Sequence, residues 1–506
     1  MAQTCEVVTS RGKVIGKVDR TTGVRRFLGI QFASSGRFAL PEPVQHGEIE
    51  ALKRGPMCPQ VPVNLFRAAI GKSPKIDAVP PLCSEEKCLN LNVVVPEGEG
   101  PFPVFVFFHG GAFVLGSNGD VFLHGLSKSK LVAEHKVAVV CPNYRLGPLG
   151  FLQLPGVPSN LGVRDALAAL QWVQQEGAHF GLDTGSVLVG GESAGAMLTG
   201  AILRSPLAKG LFQKAFLMSG TTEQVLQQSD SDVLSRDFQK RAGVDLQQCS
   251  TLEMLQASAR WNSGGVMPFQ PFVDGEVVTD RIQVQCDVLM GVTDNEYLLF
   301  MPHGVPTPTL RTAISKFKHE LEDQRLDCVP TQDEVDEIVS TVQKQYNVSF
   351  GRQVARRLMS ILVFEAPCLL SAHRLSETNS VYLYRNMVGP AHAGELGYIF
   401  GSWNRDGINR WLAGLSLLRP STNPPIGEPM EALWSKTVSN FLRTPSPGAE
   451  FVKFSTATPE ATELSPAGPR AIPAFGAAVD MVSAVTKRGT RPFGVKVPRA
   501  DRQAAL

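Results

Sequence analysis

Short, continuous apolar segments recur along this chain, and each is long enough for one buried strand. They are residues 103–108, 137–141, 186–189, 215–218, 288–290 and 381–384. Strands that are apolar at every position are typical of sheets covered by helices on both faces. Asn160 is predicted to cap a helix between two of these strands. The alternation predicts an α/β fold with a mostly parallel central sheet.

Helical periodicity dominates two further regions, residues 222–265 and 303–380, which contain few strand signals. These regions are predicted to be insertions that build a gorge or lid over the sheet. Residues 41–90 and 444–475 are rich in loop-forming residues, so we expect them to be largely irregular. A single large α/β domain with insertions accounts for the whole pattern.

Composition excludes several classes of function. The 506 residues are 43% apolar and carry a net charge of +2, so bulk charge does not suggest nucleic-acid or acidic-membrane binding. The N-terminus lacks the apolar core of a signal peptide, and no apolar run reaches the roughly 18–20 residues that span a bilayer. Nine cysteines do not suggest a disulfide framework. We therefore expect a cytoplasmic protein without a membrane span, and secretion is the less favoured alternative.

The strongest chemical signal is the pentapeptide Gly-Glu-Ser-Ala-Gly at residues 191–195. It follows the apolar segment 186–189 and precedes a run of small residues that suits a helix packed closely on a sheet. A G-x-S-x-G turn in this context lifts the serine hydroxyl above the sheet. Ser193 is therefore predicted to be a nucleophile, which requires a base, an acid and an oxyanion hole elsewhere.

Two glycines, Gly110 and Gly111, follow the apolar segment 103–108 closely. Acyl transfer places negative charge on a carbonyl oxygen, and glycines let backbone N–H groups approach it closely. Alone, this pair indicates only a turn. Beside Ser193, we interpret both glycines as oxyanion-hole donors, with the amide of Ala194 as a third.

The base must be one of nine histidines. His392 lies in a loop after the segment 381–384, where a Ser–acid–His chain order places its histidine. His303, His319 and His373 also follow the nucleophile, but they lie in the helical or loop insertions. His392 is therefore the predicted base.

The acid is expected between Ser193 and His392, after a strand. Asp294 and Glu296 both satisfy this condition, and spacing alone does not separate them. The acid orients the imidazole and stabilises the imidazolium without taking its proton. Glu192 is a further carboxylate beside the nucleophile, and it either stabilises the histidine cation or has a purely structural role.

These motifs resemble the type-B carboxylesterase/lipase family, which includes the cholinesterases. The resemblance covers nearly the whole chain, and it includes His-Gly-Gly-Ala-Phe at 109–113, Asn-Tyr-Arg at 143–145 and Asn-Leu-Gly at 160–162. It implies an α/β-hydrolase fold with helical insertions around a deep gorge. We expect one domain over residues 1–506. The match is poor beyond Thr444, so we expect the part from about residue 444 onward to be partly irregular.

The resemblance also implies roles for particular residues. It favours Glu296 over Asp294, and it supports His392 through a His-x-x-Glu pattern. The implied set is nucleophile Ser193, base His392, acid Glu296 and oxyanion donors Gly110, Gly111 and Ala194. Cys58 and Cys88 match the family's first disulfide, but cytosolic thiols stay reduced, so their pairing is left open. The segment between them lacks tryptophan, which argues against a choline site built on cation–π contact.

The sequence thus predicts a serine hydrolase that cleaves small-molecule carboxylic esters through an acyl-enzyme. It is predicted to be a general carboxylesterase rather than a cholinesterase, with no metal, organic cofactor or nucleic-acid partner. The alternatives are a lipase or acyl thioesterase that uses the same site and, less favoured, a non-catalytic neuroligin-like interaction protein. The natural substrate and the oligomeric state are left open.

Overall fold

The computed structural model describes most of the chain. The described residues are 3–61, 78–119, 121–261, 267–294, 296–301, 309, 311–312, 314–315, 317, 331–388, 392–403, 427–476 and 479–481. His303, His319 and residues 482–506 lie outside these ranges.

The described part of the chain contains fifteen strands: β1 (Thr4–Thr9), β2 (Gly12–Val18), β3 (Arg25–Gln31), β4 (Ala33–Ser34), β5 (Glu42–Pro43), β6 (Gly47–Glu50), β7 (Asn90–Val95), β8 (Phe102–Phe108), β9 (Ala138–Pro142), β10 (Leu182–Glu192), β11 (Lys214–Met218), β12 (Asp287–Thr293), β13 (Val381–Asn386), β14 (Glu460–Ser465) and β15 (Gly468–Pro473). Thirteen of them form one sheet, in the order β1-β2-β3-β7-β9-β8-β10-β11-β12-β13-β14-β15, with β6 beside β2, and β4 and β5 form a separate two-stranded sheet. Neighbours from β9 through β8 and β10 to β14 are parallel, and the antiparallel pairs lie toward the two ends. The mostly parallel central sheet is therefore confirmed.

Helices cover both faces of the sheet. They are α1 (Lys130–Ala133), α2 (Gly147–Phe151), α3 (Leu161–Glu176), α4 (Ala194–Leu203), α5 (Gln228–Ala242), α6 (Thr251–Arg260), α7 (Gln332–Tyr346), α8 (Gly351–Ser360), α9 (Ala366–Ser376), α10 (Leu396–Ile399) and α11 (Gly427–Arg443). Helices α3 to α9 contribute to one apolar cluster, and α1, α10 and α11 contribute to the other. Strand β8 is apolar throughout because its side chains alternate between the two clusters. Val104 and Val106 join the first cluster, whereas Phe105 and Phe107 join the second.

Asn160 occupies the N-cap position of α3, as predicted, but its side chain makes no cap bond and instead joins Phe272 and Asp274. One expectation about local structure was wrong. Residues 460–473, expected to be irregular, form β14 and β15. The reason is that β13 offers backbone donors and acceptors at its open edge, and pairing with them does not require an apolar sequence.

One long apolar helical stretch runs from Gly351 to Ser376. Among the described residues it is the only helix long and apolar enough to cross a membrane, but 78% of its most apolar window is buried inside the protein. A helix of a protein core has the same properties. It consists of α8, a π-helical turn at Ile361–Glu365 and α9.

A buried ion pair ties α3 to the sheet. Arg145 follows β9, and its guanidinium contacts both carboxylate oxygens of Asp165 on α3, at 2.8 and 2.6 Å. The amide of Arg145 donates to the same carboxylate at 3.0 Å. Both side chains are buried, so neither charge has water as a substitute partner.

We predict that Asp165→Ala will lower the free energy of unfolding by about 3–5 kcal/mol, because it leaves a buried guanidinium without its counter-charge. Thermal unfolding followed by circular dichroism measures the effect. The control is Glu134→Ala, which removes an exposed ion pair with Lys130 and should leave the melting temperature unchanged. Equal melting temperatures for both variants would contradict the prediction.

Candidate active site

Ser193 lies in the turn between β10 and α4. Its backbone has φ 55° and ψ −122°, a conformation that a non-glycine residue adopts only when its surroundings impose it. The Ser193 amide donates to the carbonyl of Met218 at 2.8 Å, and its carbonyl accepts from Met197 at 2.9 Å. These two bonds fix the strained turn at the carboxyl edge of the sheet.

The glycines of the pentapeptide are required by close packing. A Cβ atom on Gly195 would lie 2.0 Å from the carbonyl oxygen of Phe108, at the end of β8. A Cβ atom on Gly191 would lie 2.4 Å from the carbonyl carbon of Gly195. Only glycine allows α4 to begin this close to β8, which explains the G-x-S-x-G spacing.

Three backbone amides beside Ser193 have no acceptor. Within the described part of the chain, the N–H groups of Gly110, Gly111 and Ala194 donate no hydrogen bond. Gly110 is close to the nucleophile, since a Cβ atom placed on it would lie 3.3 Å from the Cβ of Ser193. Unpaired donors at this position are the arrangement that a developing oxyanion requires.

His109 belongs to this loop, and its ring contacts the backbone of the loop itself. Its Nδ1 donates to the carbonyl of Gly110 at 2.9 Å, and its ring stacks on Tyr144 with the centroids 4.6 Å apart. The Tyr144 hydroxyl donates to the carbonyl of His109 at 2.8 Å. Burial lowers the pKa of His109 to about 4, so the ring stays neutral.

His392 and Glu296 meet at the same edge of the sheet. Nδ1 of His392 donates to Oε2 of Glu296 at 2.6 Å. The other oxygen of the buried Glu296 carboxylate accepts from the Ser219 hydroxyl at 2.6 Å and from the Thr293 amide at 2.7 Å. The carboxylate is therefore held in one orientation, and it fixes the orientation of the imidazole.

Asp294, the other possible acid, is occupied elsewhere. Its two carboxylate oxygens contact Arg385 and Arg357, each at 2.8 Å. Although burial opposes ionisation, these guanidinium groups lower the pKa of Asp294 below its usual value. The geometry thus separates two residues that spacing alone could not: Glu296 contacts His392, whereas Asp294 belongs to a structural ion-pair cluster.

Glu192 contacts the other nitrogen of the imidazole. Its Oε1 lies 3.0 Å from Nε2 of His392, an ion-pair contact without hydrogen-bond geometry. Among the described residues, no hydrogen bond joins His392 to the Ser193 hydroxyl. Although burial favours the neutral ring, the carboxylates of Glu192 and Glu296 raise the pKa of His392 well above its usual value. The His392 imidazole therefore lies between two carboxylates, and both favour its protonated form.

A third carboxyl group, Glu395, lies nearby and is fully buried. Burial and the neighbouring charge of Glu296 raise the pKa of Glu395 to about 8. The Tyr384 hydroxyl donates to its Oε1 at 3.0 Å. At neutral pH Glu395 is thus uncharged, and it adds no further negative charge to the site.

Two aromatic rings from beyond β12 cover the imidazole. The Phe364 ring lies 4.8 Å and the Phe300 ring 5.4 Å from the His392 ring, measured between centroids. Phe364 belongs to the π-helical turn between α8 and α9, a distortion often found at functional sites. The predicted insertion therefore reaches the site, but the depth of the expected gorge stays a prediction.

Sequence reasoning missed several of these residues. Ser219 had a usable signal, because it directly follows β11 at the edge where Ser193 lies. Phe300 and Phe364 had none, since nothing in their spacing indicates the imidazole. The described residues contain no cluster of three or more His, Cys, Asp or Glu side chains that could hold a metal ion.

Cys58 and Cys88 are both free, buried thiols. The Cys58 thiol donates to the carbonyl of Tyr144 at 2.9 Å. Burial and the adjacent Cys88 thiol raise the pKa of Cys58 well above its usual value, so it is protonated. In this state the pair contributes to packing beneath the segment that holds Tyr144.

Comparison with known proteins identifies the family. A sequence model described as the carboxylesterase family matches residues 3–464. The chain belongs to the carboxylesterase family. This membership confirms the resemblance seen in the sequence motifs, and with it the predicted enzyme class, a carboxylic-ester hydrolase.

Individual relatives agree with this family assignment. The carboxylesterase chain is 31% identical to the para-nitrobenzyl esterase of Bacillus subtilis (strain 168), over 80% of this chain and 84% of that protein. It is 30% identical to a medium-chain fatty acyl-CoA hydrolase precursor of Anas platyrhynchos, over 79% of this chain and 80% of the relative. A solved PNB esterase structure matches 92% of this chain and 96% of its own, with a TM-score of 0.74 and 26% identity. The α/β-hydrolase fold is thereby confirmed.

The unpaired amides give a testable prediction at Gly110. A Cβ atom there would lie 2.8 Å from the backbone oxygen of Glu192, so Gly110→Ala must displace the loop that carries two of the three donors. We expect kcat for p-nitrophenyl butyrate to fall by about 10²–10³, the usual effect of losing one such donor. Gly36→Ala, where an added Cβ would lie 3.7 Å from its nearest neighbour, is the control and should keep full activity. A folded Gly110→Ala variant with normal kcat would refute the oxyanion assignment.

Proposed function

We propose that this chain hydrolyses small-molecule carboxylic esters with Ser193 as nucleophile, His392 as base and Glu296 as the orienting acid. The proposal rests on one arrangement of residues. At a single edge of the sheet, the strained Ser193 turn lies beside unpaired amides and near an imidazole bonded to a buried carboxylate. Each group has a defined task in acyl transfer.

The reaction proceeds in two halves. The Ser193 hydroxyl attacks the ester carbonyl and its proton passes to Nε2 of His392, while the amides of Gly110, Gly111 and Ala194 hold the oxyanion. The imidazolium returns that proton to the departing alkoxide, and an acyl-serine ester remains. Water then attacks this ester with the same base and acid steps, which releases the carboxylic acid and restores Ser193.

The position of Glu192 adds a requirement to this cycle. Nε2 of His392 must turn from Glu192 toward the Ser193 hydroxyl and must be deprotonated before it can accept a proton. Glu192 then has two opposing effects. It stabilises the imidazolium that forms as Ser193 attacks, and it also raises the pH at which the resting enzyme loses its proton.

The features of the site favour a general carboxylesterase. The Phe300 and Phe364 rings present an apolar surface next to the imidazole, which suits an apolar acyl or alcohol group. The relatives named above are an esterase for para-nitrobenzyl esters and a hydrolase for fatty acyl-CoA. A series of p-nitrophenyl esters and acyl-CoA thioesters of increasing chain length would identify the preferred class of substrate.

The cytoplasmic location of the protein stays a prediction.

We predict that Ser193→Ala will abolish hydrolysis of p-nitrophenyl butyrate and labelling by a fluorophosphonate probe. His392→Ala should lower kcat by several orders of magnitude, because the nucleophile loses its base. His373→Ala is the matched control: its ring packs on Phe454 at 5.1 Å and should not affect catalysis. Retained labelling in Ser193→Ala, or an inactive but folded His373→Ala variant, would overturn the assignments.

A pH prediction follows from Glu192. Activity requires neutral His392, so kcat/KM should fall as the pH drops through the raised pKa of this histidine. Glu192→Gln removes one of the two charges that raise this pKa and should move the acidic limb to lower pH. The pH profile of kcat/KM measures the limb, with Glu223→Gln, which faces Arg204, as the control. An acidic limb that stays in place or moves upward would contradict the prediction.

A further inference from the structure

A cavity of about 290 Å³ lies apart from the nucleophile, against the other apolar cluster of the sheet. Its walls come from β3, β7 and β9 and from the 3-10 segment Val121–Lys128. The cavity shares no lining residue with the site around Ser193. Its volume is near the lower end of the roughly 300–1,000 Å³ that small-molecule sites occupy.

One side of the cavity is apolar. Val94 of β7, Cys141 of β9 and Leu126 of the 3-10 segment are all buried and face it. Burial raises the pKa of the Cys141 thiol far above its usual range, so this side chain is an uncharged, small apolar group. This surface suits a short hydrocarbon chain.

The charged groups of the cavity are basic. Arg26 and Arg54 line it, and no acidic side chain is among its described lining residues. Nη1 of Arg54 donates to the carbonyl of Gly119 at 2.9 Å. Nε of Arg26 is buried and has no hydrogen-bond acceptor in the described part of the chain. A buried charged donor without an acceptor is costly, so it indicates a group that the protein itself does not supply.

The neighbouring carboxylate of Asp19 does not accept the buried Nε–H of Arg26. Asp19 accepts hydrogen bonds from the hydroxyls of Ser127, at 3.1 Å, and Thr21, at 2.7 Å. Although partial burial opposes ionisation, these bonds and the nearby charge of Arg26 lower the pKa of Asp19 to about 2. Asp19 thus interacts with the charge of Arg26, but among the described residues it accepts no hydrogen bond from Nε of Arg26, which is left for a ligand.

We infer that this cavity binds a small amphipathic carboxylate, with its charged end on the Arg26 guanidinium and its hydrocarbon chain over Val94, Leu126 and Cys141. The guanidinium fork matches carboxylate oxygens, and the apolar wall supplies affinity for the chain. No covalent step is involved. The inference does not depend on the catalytic roles proposed above, because none of those residues lines the cavity.

Isothermal titration calorimetry on the full-length protein tests the inference, with octanoate, octan-1-ol and octylammonium as probes. We expect octanoate to bind at least about tenfold more tightly than the other two, because they lack the anionic group. Arg26→Gln should weaken octanoate binding at least about tenfold, with Arg26→Lys intermediate. Arg25→Gln is the matched control: Arg25 directly precedes Arg26 in β3, and its side chain reaches the carbonyl of Phe180 instead.

Equal affinity for octanoate and octan-1-ol, or unchanged octanoate binding in Arg26→Gln, would overturn the inference. Chain length gives a second test that does not depend on the stability of that variant. Each additional buried methylene from butyrate to octanoate should raise affinity up to about fourfold. Cys141→Leu fills part of the apolar wall and should reduce this gain while butyrate binding stays unchanged. No gain with chain length, or the same gain in Cys141→Leu, would also refute the site.

Discussion

The close approach of α4 to the end of β8 is the constraint on which the site depends. Gly195 lies so near the carbonyl of Phe108 that no side chain fits between them. This contact sets where α4 begins, and it brings the Ala194 amide beside the glycines that follow β8. It also forces Ser193 into a conformation with positive φ. Packing therefore positions Ser193 and the unpaired amides together, before any polar side chain contributes.

Charge balance around the His392 imidazole is the second constraint on which the site depends. Glu192 and Glu296 approach His392 from opposite nitrogens, and both side chains are almost fully buried. A third ionised carboxylate at this place would have no counter-charge, which explains why Glu395 holds its proton instead. The negative charge of Asp294 is paired with Arg357 and Arg385 in a separate cluster. The protein thus controls not only which carboxyl groups lie near His392 but also which of them are ionised.

Much of this arrangement could be predicted from sequence, for identifiable reasons. Strands such as β8 are buried on both faces, so their apolar character is continuous and visible. Ser193, His392 and the acid follow strands, and parallel strands bring such positions to one edge. The choice between Asp294 and Glu296 required either the family resemblance or the ion pairs of Asp294. The contact of Glu192 with Nε2, the rings of Phe300 and Phe364, and β14 depend on tertiary contacts that no local pattern encodes.

The order of the strands has a consequence for protein synthesis. Ser193 is made early, but Glu296 belongs to the turn after β12, and His392 comes 96 residues later still. Until β12 is available, β11 forms an open edge of the growing sheet, and such an edge can pair with another chain. A nascent chain at this stage contains the Ser193 turn but neither Glu296 nor His392. As synthesis continues, the open edge passes to β12 and then to β13, and it is covered only when β14 arrives.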